Sequence, residues 1–358
     1  MTTDRTVAAS TGDGAHAPLD VDPGTHLWPA LPAPGASQPR GRMEWMDTLR
    51  GSAILLMLFW HATSLPNLRG MPVPAALLSI NDFFLPFRMP TLMFLSGMLL
   101  PRALTKPVLV YLRGKLSLIA WPWFVWMVAY RITDGSTWAL VHPSTYVARG
   151  YMWFLFFLCV YYAVAPIVRR LPPWVMPLVL LAGSFAFTPA SSVNHRLLYF
   201  GIFFFAGAWA THLGPGFMRR VTRPRSVVVL AVPALALGLA SALTDLAYES
   251  LYVPASFAGI LVAVAAASRL PSRLTSPVRY VGRNSIVYYT AHFPAMVGVL
   301  WPFVHAGTHV AVVVPSLMLA GLAIGTLFSH WRSVIPIRWL FEMPGLPPVR
   351  QAAGKVPA

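Results

Sequence analysis

Apolar runs of about twenty residues recur along this 358-residue chain, divided by short clusters of arginine and lysine. A run of that length crosses the roughly 30 Å hydrocarbon core of a bilayer as an α-helix, which satisfies its own backbone donors and acceptors where water is absent. The pattern predicts an all-α, polytopic membrane protein with about ten transmembrane helices. Their expected positions are 47–66, 76–100, 108–130, 151–168, 173–190, 197–213, 226–244, 252–268, 285–303 and 309–330. Only 11% of the residues are charged and 56% are hydrophobic, whereas an ordinary soluble domain carries roughly 25% charged residues. A soluble fold is therefore excluded, and a multi-pass protein of the cell membrane is expected.

The net charge of +16 would suit a nucleic-acid binder, so the placement of the basic residues decides the matter. With the N-terminus inside, 21 of the 27 basic residues fall on the cytoplasmic side. Four, Arg69, Arg131, Arg149 and Arg196, fall on the other, and Arg50 and Arg88 lie within spans. This asymmetry follows the positive-inside rule and predicts an N-in, C-in topology with no nucleic-acid partner. Residues 1–42, rich in Pro, Gly, Ala and Ser, read as a disordered cytoplasmic tail without an apolar run of signal-peptide length. Residues 43–345 then form one membrane domain, and 346–358 a cytoplasmic C-terminal tail. Cys159, the single cysteine, lies inside an apolar run, so this chain builds neither a disulfide nor a thiolate metal cluster. No internal repeat and no matched pair of broken helices is evident, which weakens a transporter reading.

Polar residues inside a bilayer are costly and mark function first. The first predicted helix opens Glu44-Trp45-Met46-Asp47-Thr48-Leu49-Arg50-Gly51 and runs on to His61. Eleven residues separate Arg50 from His61, about three turns, so they share one face some 16 Å apart along the axis. Asp47 stands one turn before Arg50. A cytoplasmic-end arginine suits an anionic ligand, and a deeper neutral imidazole suits proton abstraction from a hydroxyl. Spacing alone places the pair evenly between this role and a snorkelling arginine with a satisfied core histidine.

In the second helix, Arg88 lies near mid-span, where a charge costs about 2.5–3.5 kcal/mol on the insertion scale. Asp47 and Asp82 are the acids within or beside the first two helices, and six residues put Asp82 and Arg88 on opposite faces. A ligand phosphate or carboxylate is therefore a natural partner for Arg88. Ser96-Gly97 reads mainly as a tight helix crossing. Asn284 or Ser285 is expected to cap the ninth helix, in which Tyr288, Tyr289 and His292 follow. His292 suits either a hydrogen-bonded core role or holding a catalytic group or acceptor hydroxyl. His305 and His309 lack a third ligand, so no metal is expected. There is no Gly-rich phosphate loop, serine nucleophile elbow or carboxylate pair.

These residues resemble the acyltransferase 3 family of integral membrane O-acyltransferases. The resemblance rests on Asp47-Thr48-Leu49-Arg50-Gly51 followed by His61, and on Arg88-Met89-Pro90 leading to Phe94-Leu95-Ser96-Gly97. It rests also on Trp153-Phe154-Leu155, on Phe203-Phe204-Phe205-Ala206-Gly207, and on Asn284-Ser285 to Tyr289 and His292. The third helix departs from the pattern, with Arg113 and Lys115 ahead of Trp121-Pro122 where a closely spaced basic pair is usual. The resemblance implies transfer of an acyl group, most often acetyl, from cytosolic acyl-CoA to a hydroxyl of a glycan, lipid or secondary metabolite. It implies catalytic roles for His61 and Arg50, with Asp47, Arg88, Ser96, Trp153, Asn284, Ser285, Tyr289 and His292 binding donor or acceptor. It implies no tightly bound cofactor, acyl-CoA being a substrate. An exporter or flippase of a lipid-linked sugar is the alternative that the composition also permits.

Overall fold

A computed structural model describes residues 43–345, apart from 245 and 272. The two expected tails, 1–42 and 346–358, lie outside the described residues. Among the described residues the chain is helical, with short 3-10 and π turns and no strand. In chain order the main helices are Glu44–Leu68, Ala75–Met98, Val108–Thr133, Trp153–Val168 and Val175–Ser184. The sixth to tenth are Val193–His212, Pro224–Leu243, Val253–Arg269, Ser285–His305 and Val310–His330.

Six of them, the second, third, fourth, seventh, eighth and tenth, are long and apolar enough to cross a membrane, counting the turns that extend them. A seventh span results if the sixth helix and Gly214–Val221, bent from it by 112°, are counted as one. The chain is thus an all-helical, multi-pass membrane protein, and the expected ten spans exceed the six that pass on length and composition. The shortfall has physical causes. The first and ninth helices run 25 and 21 residues, but they carry the polar set, Asp47, Arg50 and His61 on one and Tyr288 to Thr290 and His292 on the other. The fifth is helical over only 10 residues, about 15 Å of rise, because Thr188-Pro189-Ala190-Ser191-Ser192 ends it early. Ser192 then caps the sixth helix, accepting from the His195 amide at 3.2 Å. That helix therefore begins at Val193 rather than near 197, and Arg196, assigned to a loop by its sequence, sits in the first turn.

Two close crossings fix the frame. A Cβ at Gly97 would run into the Phe204 carbonyl, and one at Gly207 into the Phe94 carbonyl, so the second and sixth helices meet backbone to backbone. Gly51 and Gly282 make the same reciprocal approach, against Val278 and Asp47, between the first helix and the short helix Ser276–Arg283. In a bilayer, where helices gain no hydrophobic drive from one another, such close dispersion contact is a main source of association. Arg279 and Glu44 pair across the second crossing. Pro122, lacking an N–H, accompanies a π turn at Leu116–Ala120 in the third helix. The C-terminal strap docks there, with Trp121 and Trp126 indoles donating to the Trp339 and Leu340 carbonyls at 2.7 and 3.2 Å.

Candidate functional site

The first helix fixes the depth of the site. His61 lies 17 residues from Glu44 and seven from Leu68, about 26 Å and 10 Å along the axis. Near it, toward the Leu68 end of the bundle, is a cavity of about 280 Å³. Met57, Trp60 and His61 line it from the first helix, and Leu85, Arg88 and Met89 from the second, each set one turn of helix on one face. Trp153 and Tyr151 come from the start of the fourth helix, Arg196 from the first turn of the sixth and Tyr289 from the ninth. Ser191, Ala247 and Tyr248 close it from the connections ahead of the sixth and eighth helices.

His61 is 7% exposed and borders the cavity, and His292 behind it is fully buried. Their ring centroids are 4.9 Å apart. The His292 Nδ1 lies 3.0 Å from the Tyr288 carbonyl. A carbonyl only accepts, so Nδ1 carries the proton and Nε2 presents a lone pair. That Nε2 is buried and has no hydrogen-bond partner among the described residues. Phe293 stacks edge-on to His61, and face to face with Tyr151 at 4.7 Å. A reciprocal clamp holds the fourth and ninth helices together here. Tyr151 donates to the Thr290 carbonyl at 2.8 Å, and Tyr289 donates to the Tyr151 carbonyl.

Two guanidinium groups share the cavity. Arg88, 4% exposed, lies over the Trp60 ring at 4.9 Å, and Arg196 over the Trp153 ring at 4.4 Å. Tyr248 is within electrostatic reach of both, as Arg88 is of His61. Asp82 acts on Arg88 through space without lining the cavity, and among the described residues no carboxylate lines it. Tyr248 has a φ of 54°, a left-handed conformation that a bulky side chain rarely adopts. His195 braces that segment, its ring nitrogens 3.0 Å from the carbonyls of Ser184, Phe187 and Tyr248.

Of the residues singled out from the sequence, His61, Arg88, Trp153 and Tyr289 meet at the cavity, with His292 directly behind. The others stand elsewhere. Arg50 and the buried Asp47 lie toward the Glu44 end, where Arg50 is within electrostatic reach of Tyr162. Ser96 donates to the Leu92 carbonyl at 2.7 Å beside the glycine crossing, away from the cavity. Asn284 occupies the N-cap position of the ninth helix, as expected, but its side chain makes no capping bond. Its amide donates back to the Tyr280 carbonyl at 3.0 Å, because the short helix Ser276–Arg283 ends there, and neither it nor Ser285 reaches the cavity. His305 ends the ninth helix, its Nδ1 2.8 Å from the Trp301 carbonyl, and His309 caps the tenth. Sequence reasoning missed Arg196, Trp60, Tyr151 and Tyr248. The Ser192 cap signal could have placed Arg196 inside a helix; nothing in the sequence brings Tyr248 to Arg88.

A family model described as an acyltransferase domain matches residues 43–330, which include every residue of this cavity. No curated protein and no solved structure matches the chain.

Proposed function

Because this chain belongs to the acyltransferase 3 family, we propose that it is an O-acyltransferase of the cell membrane. In this reading it moves an acyl group, acetyl in the first instance, from cytosolic acyl-CoA to a hydroxyl of a cell-envelope glycan, glycolipid or secondary metabolite. A membrane acyltransferase in general follows from the family; the donor, the acetyl group and the acceptor are our inference. The observation that carries it is one cavity-facing imidazole, His61, backed by a second, His292, whose tautomer is fixed by the Tyr288 carbonyl.

His292 Nε2 can only accept, so it favours a His61 tautomer that donates backward and leaves a lone pair toward the cavity. That nitrogen takes the proton from the acceptor hydroxyl. The acceptor oxygen bonds to the thioester carbonyl carbon, the C–S bond breaks, and the proton on His61 passes to the departing CoA thiolate. Arg50, near the opposite end of the first helix, holds the anionic part of the donor in an N-in topology. A relay through an acyl-histidine is the mechanistic alternative.

The test is acetyl-CoA turnover by the full-length chain in liposomes that contain cell-envelope lipid and glycan. Wild type is expected to gain thermal stability with acetyl-CoA and to release free CoA thiol. His61→Ala is expected to keep the stabilisation and to lose turnover by about 10²–10⁴-fold. No stabilisation and no thiol release from wild type would favour the exporter or flippase reading.

A further inference from the structure

The cavity carries more positive charge than acyl transfer to a neutral sugar requires. Arg88 and Arg196 both line it, and among the described residues no acid does. The Arg88 guanidinium carbon lies over the Trp60 ring and that of Arg196 over the Trp153 ring, at 4.9 and 4.4 Å, contacts that use no N–H donor, and Tyr248 takes up part of the Arg88 hydrogen-bonding capacity. Arg88 Nη1 and Arg196 Nε are buried and have no hydrogen-bond partner among the described residues. A buried, unsatisfied guanidinium donor is costly unless a ligand completes it, and bidentate recognition of a carboxylate or phosphate is what this group does best.

Resting on the acyltransferase reading, we propose that the acceptor is an acid: a small hydroxylated molecule or terminal sugar unit whose carboxylate or phosphate seats between Arg88 and Arg196. Its hydroxyl then faces His61. The free volume of about 280 Å³ lies just below the usual span of ligand sites, roughly 300–1,000 Å³, and suits a single sugar ring rather than a nucleotide. The position fits the acceptor too. Arg196, Trp153 and Tyr248 line the same cavity as His61, which stands about 26 Å from Glu44 along the first helix, whereas Arg50 lies toward the Glu44 end. Arg196 is thus an acceptor-specificity residue, and Tyr248, held in its left-handed conformation with His195 bonded to its carbonyl, closes the site between the two arginines.

The experiment uses the full chain in nanodiscs and saturation-transfer NMR with glucuronate, glucose 6-phosphate and glucose as probes. Glucuronate or glucose 6-phosphate is expected to bind at least tenfold more tightly than glucose. Arg196→Gln and Arg88→Gln are each expected to weaken the acid by about 10–100-fold, with Arg196→Lys in between, while glucose is unaffected. Equal binding of the acids and glucose, or full retention of acid binding by Arg196→Gln and Arg88→Gln, overturns the proposal. Competition by CoA at its own saturating concentration also overturns it, because the arginines would then hold the donor. The His61→Ala protein separates this inference from the one beneath it. If that variant still transfers acetyl but binds glucuronate through Arg196, the acyl-transfer mechanism falls and the acid site stands. If it loses transfer yet the wild type does not distinguish glucuronate from glucose, the reverse holds.

Discussion

His292→Phe separates a positioning role from a packing role, because the two predict opposite balances of stability and activity. The ring is fully buried between His61, Tyr151 and Phe293, with centroid distances of 4.9, 5.5 and 6.3 Å. Phenylalanine keeps the edge contacts with a ring one atom larger, at a modest overpacking cost in a fully buried site. It removes one hydrogen bond, Nδ1 to the Tyr288 carbonyl at 3.0 Å, a loss of about 0.5–1.5 kcal/mol. It also removes the buried Nε2 that has no partner, relieving about 1–3 kcal/mol of desolvation cost. The relief roughly offsets both costs, so the thermal midpoint in nanodiscs should stay nearly level. Activity should fall. Without that lone pair, which is unpartnered at rest, His61 lacks the acceptor that orients it once substrate is bound, a change that elsewhere costs about 10–100-fold, or about 1.4–2.7 kcal/mol of barrier. The assay pairs thermal unfolding with acetyl-CoA turnover on the same preparation. Unchanged turnover would refute the positioning argument, and a midpoint lowered by more than about 3 kcal/mol in stability would refute the accounting of the unpaired nitrogen.

Gly207→Val should destabilise by about 1–3 kcal/mol or more through the added Cβ branch at the Phe94 carbonyl, read as a lower unfolding midpoint and poorer recovery from the membrane. Arg50→Ala should raise the KM for acetyl-CoA while leaving glucuronate binding unchanged, since Arg50 does not line the cavity; equal loss of both would join the two ends into one site. In a Cys159→Ser background, Ser191→Cys at the exposed rim should react with a membrane-impermeant maleimide added to intact cells, and protection from it would contradict the N-in arrangement.

The elements that could be read from the sequence are those governed by local rules. Apolar length located the six helices that qualify as spans to within a few residues, whereas the fifth ends earlier and the sixth starts earlier than it indicated. Polar cost inside a bilayer singled out His61 and Arg88. The polar set of the ninth helix pointed to Tyr289 and His292, and the resemblance added Trp153, three residues whose approach to His61 depends on how the fourth and ninth helices pack. Arg196 was hidden because its helix starts earlier than apolarity suggests, and hydropathy cannot see a serine cap. Some of the motif residues mark structure rather than chemistry. Gly97 and Gly207, from two separate motifs, are the two sides of one crossing, and Gly51 meets Val278 in another. A motif list therefore mixes frame and site, and only tertiary packing sorts them.

The most direct measurement is transfer of radiolabelled acetyl from acetyl-CoA to membrane glycan by wild type, His61→Ala and Arg50→Ala proteins inserted to equal levels. The account predicts label in the glycan with wild type and a loss of about 10²–10⁴-fold with His61→Ala, with Arg50→Ala recovering only as acetyl-CoA is raised. Undiminished transfer by His61→Ala would contradict it.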